Sequence, residues 1–98
     1  MNTILMREFG STLTDRADGK KAFREILRRT TFPASLDFSG VVSLGSSFGD
    51  EVILAVAERQ GNSVTVLHAN KVIQNAIRRS VEDSPVTVSF SRLDRPVL

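Results

Sequence analysis

LDFSGVVSLGSSFGDEVILAV, residues 36–56, decides how this chain folds. Residues 36–42 read as a buried strand, an apolar run bounded by turn signals. Gly45, Ser46 and Ser47 then make a short turn, after which Phe48, Val52, Ala55 and Val56 recur at helical spacing. The helix opens at Ser46 or Ser47 and runs to about Gln60, with Gly61 as its stop signal. The stretch is therefore a strand-to-helix elbow. A helix start leaves backbone N–H groups unpaired beneath a partial positive charge. A hydroxyl there either caps the helix or, once phosphorylated, holds a dianion that the dipole tolerates.

Two serines compete for that place. Ser47 stands three residues before Asp50, the S-x-x-D capping pattern, with Asp50 and Glu51 set to favour the helix dipole. Ser46 and Phe48 share the same turn, flanked by Gly45 and Gly49. An exposed hydroxyl beside an aromatic side chain predicts a docking surface made by Gly45, Ser46, Ser47, Phe48, Asp50 and Glu51.

On the amino-terminal side, residues 3–9 form an apolar run ended by Gly10 and read as a strand, with Ile4 and Met6 on one face. Asp15 and Asp18 are candidate caps, and Gly19 is punctuation, before a helix over residues 20–29 with Phe23, Ile26 and Leu27 at helical spacing. Its outer side carries Lys20, Lys21, Arg24, Arg28 and Arg29, a solvated face or a docking face for an acidic partner. Pro33 separates this helix from the central strand. On the carboxyl-terminal side, residues 63–69 alternate as a strand with Val64, Val66 and His68 on one face. Asn70 opens a helix carrying Val72, Ile73, Ala76, Ile77 and Val81. Residues 85–91 alternate with one polar face and begin with proline, which suits an edge strand. Residues 92–98 have no periodicity and read as a loosely held tail.

The order β-α-β-α-β-α-β predicts one α/β domain with core about 3–91, about three helices and a four-stranded, largely parallel or mixed sheet. Its 98 residues suffice for a single core. A composition 41% hydrophobic and 24% charged is that of an ordinary globular protein, and a net charge of +2 demands no nucleic acid. No apolar run is long enough to span a membrane, no signal-peptide pattern opens the chain and cysteine is absent, so a cytoplasmic setting is expected.

Reactive groups are few. Without cysteine, and with His68 as the one histidine, no zinc set can be built, and neither the carboxylates nor any other residues predict a metal or cofactor. GSSFG, residues 45–49, matches the Gly-x-Ser-x-Gly elbow of hydrolases, but a chain this short lacks the larger sheet that holds a triad. GVVSLGSS lacks the lysine of a phosphate-binding loop. The expectation is a protein without catalytic residues.

The segments LDFSGV, residues 36–41, and GSSFGDE, residues 45–51, resemble the STAS-like domain family of unknown function, which is related to the STAS domains of bacterial anti-sigma-factor antagonists. In that family a TxRxDG-like turn, here residues 14–19, precedes the first helix, and a later helix opens at asparagine, here Asn70. In antagonists proper the strand is followed by Asp-Ser-Ser-Gly, whose first serine is phosphorylated by a kinase that is also the anti-sigma factor. Ser46 matches that serine, whereas Gly45 replaces the aspartate and Phe48 the glycine. The resemblance implies a signalling module without catalysis that binds a protein partner, such as a histidine-kinase-like ATPase or anti-sigma factor, with Ser46 or Ser47 as phosphorylation candidates. The other function the residues allow is sensing of a nucleotide or other anion at the same helix start, by Arg16, Ser46 and Ser47.

Overall fold

A computed structural model describes residues 2–91. The expected order is present: four strands separated by three helices, in one α/β domain. The elements are β1 (Thr3–Leu5), β2 (Thr12–Leu13), α1 (Arg16–Arg29), β3 (Ser35–Asp37), β4 (Ser43–Leu44), α2 (Ser46–Glu58), β5 (Ser63–Leu67), α3 (Lys71–Val81) and β6 (Thr87–Phe90). The main sheet runs β1-β3-β5-β6 with every neighbouring pair parallel. Strands taken in chain order and joined by right-handed crossovers carry all their helices on one face. Burial agrees. Ile4, Leu36, Val64 and Val66 are buried beneath the helices, while their strand neighbours are half-buried or exposed. Thr3, Ser35, Thr65 and Ser89 stand in register across all four strands and line the other face, which no helix among the described residues covers.

The strands are shorter than their apolar runs. After Leu5 the chain tightens into a 3-10 turn over Met6–Phe9, so the expected strand over 3–9 stops early. Met6 still reaches the core, because the turn brings it beneath the same layer as Ile4. The central run breaks at Asp37. Its carboxylate accepts from the Ser39 N–H at 2.8 Å, and Gly40 takes φ +82° in the bend that follows. The chain resumes as β4, which pairs with β2 in a small parallel sheet that the sequence reading did not anticipate. Phe38 and Val41, either side of the bend, are both core residues.

Helix α1 begins at Arg16 rather than Lys20, because Asp15 caps it by accepting from the Asp18 N–H at 3.2 Å. Gly19, expected to be punctuation, is inside the helix. Helix α2 ends at Glu58, two residues before the expected stop. β5 ends at Leu67, and His68 leaves the strand direction at φ +57°, so it does not share a face with Val64 and Val66. In α3, Asn70 caps by accepting from the Ile73 N–H at 2.9 Å, and Ile73, Ala76 and Ile77 are buried. Val72, expected in the apolar stripe, is 62% exposed. β6 is an edge strand, as its leading proline and polar face predict, over Thr87–Phe90. The expected tail, 92–98, lies outside the described residues. Among the described residues no helix is long and apolar enough to cross a membrane.

Candidate functional site

Two strand-to-helix bends lie side by side. β2 leads through Thr14 and Asp15 into α1, and β4 leads through Gly45 into α2. The β2–β4 ladder pairs Thr12 with Ser43 and Leu13 with Leu44, and the Gly45 N–H then donates to the Leu13 carbonyl at 2.9 Å. Glycine at 45 lets the two bends approach closely, since a Cβ there would stand 3.2 Å from both Cα and Cβ of Thr14. Parallel strands feeding adjacent helices place both helix amino ends together.

At this corner Gly45 is the helix cap; its carbonyl accepts from the Gly49 N–H at 3.0 Å, but having no side chain it offers no side-chain cap to the N–H groups before Gly49. Ser46 and Ser47 are the first two residues of α2. The capping box expected from Ser47 is therefore not formed: Ser47 is half-buried within the helix, and Asp50 and Glu51 fall in the second turn, where the dipole is weaker. Ser47 also lacks the strained backbone of a hydrolase elbow, because its φ is not among the positive values. Ser46 is exposed. Phe48 is not a docking residue at all; at 1% exposure it is part of the core. Its expected place on the helical stripe with Val52 and Val56 holds, and, as the third residue of the helix, it turns inward away from the expected docking surface.

Charge at the corner is organised by Arg16. Its Nη1 donates to Glu51 Oε2 at 2.7 Å and its Nη2 lies 3.7 Å from Asp50 Oδ2. One guanidinium faces the carboxylates of Asp50 and Glu51, with Asp15 and Asp18 in the neighbouring bend of α1. Arg16, the cation expected to assist an anion, is already engaged by acids. The opposite helix ends are basic: Arg28 and Arg29 close α1, and Arg78 and Arg79 close α3. Two of the α1 cations are also spent, Arg28 on Glu25 and Arg29 on Glu8. Arg29 further stacks over the Phe9 ring at 5.5 Å.

No protein-family model matches this chain, nor does any curated protein or solved structure. The functional reading therefore rests on the geometry and on the residues themselves.

A second cluster escaped the sequence reading. Asp37, at the carboxyl end of β3, and His68, just past the end of β5, come together with His68 Nδ1 3.1 Å from Asp37 Oδ1. The Asp37 side chain is 13% exposed and that of His68 46%. Holding a histidine at positive φ costs about 1–3 kcal/mol, so the surrounding structure must enforce it. The one hint in the sequence is that His68 sits two residues before the Asn70 helix cap, where an alternating strand must already have ended. At the opposite, amino end of the sheet, Thr3, Ser35, Ser63 and Thr65 help to line a shallow uncharged depression of about 400 Å³. Gln60 shapes its floor by pairing with Ala34 N–H and C=O and with the Ser63 carbonyl.

Proposed function

We propose that this protein is a regulatory recognition module of STAS-like type, acting in the cytoplasm by docking a protein partner on the corner where α1 and α2 begin. The observation that carries the reading is the exposure of Ser46 as the first residue of a helix whose cap, Gly45, has no side chain. Ser46 is thus presented outward and is not consumed in holding the helix. The surface comprises Gly45, Ser46, Ser47, Asp50 and Glu51, with Arg16 bridging the acids; Phe48 supports it from beneath. The likeness of residues 36–41 and 45–51 to antagonist-type domains supports the same assignment, with a histidine-kinase-like ATPase as partner and Ser46 as the residue it phosphorylates. The acids around the corner suit a basic partner surface, and a phosphoryl group on Ser46 adds roughly −1.5 to −2 charges to an already negative site. Phosphorylation would therefore release a basic partner less readily than it would an acidic one.

The test is to incubate the protein with a histidine-kinase-like ATPase and ATP, measure binding by calorimetry, and map any phosphate by mass spectrometry. Modification at Ser46, and at least a tenfold change in affinity for Ser46→Asp and for Glu51→Lys, are expected, about 1.4 kcal/mol each. Modification elsewhere, or binding indifferent to both substitutions, defeats the proposal. Nucleotide sensing at the same corner is disfavoured by the Arg16 ion pairs, and a nucleotide-dependent rise in melting temperature would restore it.

A further inference from the structure

We infer that His68 is a phosphoryl-accepting residue, with Asp37 as its positioning residue, at the carboxyl end of the main sheet and independent of the Ser46 corner. Asp37 is held in place from two sides: its Oδ1 takes the Ser39 N–H at 2.8 Å and faces His68 Nδ1 at 3.1 Å. An ionised carboxylate only accepts hydrogen bonds, so the ring proton belongs on Nδ1 and the lone pair on Nε2. With the side chain about half exposed, and no other hydrogen bond or ion pair holding the ring among the described residues, Nε2 is open to a reactant from outside. The arrangement is that of an oriented imidazole: a carboxylate fixes the tautomer and offsets positive charge that develops on the ring, while the far nitrogen meets the reactant. The positive φ of His68 directs the chain out of the strand, and the ring meets Asp37 of the neighbouring strand instead of lying along its own. Carboxyl ends of parallel strands are where such folds place reactive groups.

The reaction is transfer from a donor with a phosphorus–nitrogen bond. The Nε2 lone pair attacks phosphorus of a donor already protonated on nitrogen, the Nε2–P bond forms, the donor P–N bond breaks and the amine departs neutral with its own protons, leaving the positive charge on the ring beside Asp37. The Nδ1 proton stays on its hydrogen bond to Asp37. No oxidant or metal is required by the balance.

Potassium phosphoramidate is the probe. The chain has one histidine, so an acid-labile, base-stable phosphate that disappears in His68→Gln reports on His68 rather than on Lys20, Lys21 or Lys71. Mass spectrometry of the intact folded protein should show one added phosphoryl group, absent from His68→Gln, and phosphorus NMR should show it on Nε2. The rate should exceed that of the same chain unfolded in concentrated urea by at least about tenfold, and should fall by about tenfold in Asp37→Asn, where a neutral acceptor replaces a charged one. Phosphate on Nδ1, or a folded-state rate no greater than the unfolded one, overturns the inference. So does an Asp37→Asn protein that keeps its circular dichroism and reacts like the parent. The comparison of folded with unfolded parent decides the matter even if Asp37→Asn does not fold.

Discussion

Gly19→Ala should destabilise the protein, although alanine is the better helix former. At an ordinary interior helix position the exchange gains roughly 1 kcal/mol. At Gly19, however, the new Cβ would lie 2.9 Å from Glu51 Cβ and 3.3 Å from both Cα and the carbonyl oxygen of Phe48. Favourable carbon–carbon separations begin near 3.5 Å, so α1 and α2 must part by several tenths of an ångström. Neither obstacle is the free end of a side chain; one is a Cβ fixed to the helix and the others are backbone. Overpacking of this kind costs about 1–3 kcal/mol, leaving a net loss of about 1 kcal/mol once the helix gain is subtracted. In a domain of this size that lowers the melting temperature by about 4–8 °C. Lys20 is exposed on the same helix and supplies the control: Lys20→Ala should be more stable than Lys20→Gly by roughly 1 kcal/mol. Urea and thermal unfolding of the four proteins would show opposite preferences at adjacent positions. If alanine is preferred at both, the close approach of the two helices is refuted, and with it the geometry that brings their amino ends together.

Phe48→Ala should lose about 3–5 kcal/mol in denaturant unfolding, since the ring is wholly buried, and a loss below 1 kcal/mol would contradict its place in the core. Gln60→Ala should lose about 1–3 kcal/mol, because it strips partners from the part-buried N–H and C=O of Ala34, while the Ser63 carbonyl it also releases is exposed to water; calorimetric melting checks this. Arg16→Ala should change stability by less than about 1 kcal/mol, and less still in high salt, because its pairing with Glu51 is half exposed. Val72→Ser should be within about 0.5 kcal/mol of the parent, because the side chain stands in solvent.

The sequence revealed the layer plan because its apolar periods are long and distinct. Val64 and Val66 alternate, whereas Ile73, Ala76 and Ile77 recur at helical spacing, and both patterns persist in the structure. Boundaries were less legible, since they depend on single hydrogen bonds. The Asp37 carboxylate turns the chain at Ser39, and the Asp15 carboxylate opens α1 four residues early. The β2–β4 ladder has two residues on each strand, too few to leave any periodic trace. The helix start was readable only as far as Ser46 or Ser47, and the structure sets it at Ser46 with Gly45 as cap. Phe48 shares the helical spacing of Val52 and Val56, which already points it into the core, and it is the docking role assigned to it as well that the burial of its ring excludes. Asp37 and His68 are thirty-one residues apart, and only the parallel pairing of β3 with β5 makes them neighbours.

The hydroxyl row formed by Thr3, Ser35, Thr65 and Ser89 bears on folding fidelity. In a parallel sheet sandwiched by helices, a strand displaced by one residue exchanges one greasy side chain for another and the error is weakly penalised. Here the same displacement would turn Ile4, Leu36 or Val66 toward water and drive a hydroxyl under the helices. The hydroxyl row thus acts as a ruler: strands only three to five residues long resist a one-residue slip, because it leaves them wet on the wrong side.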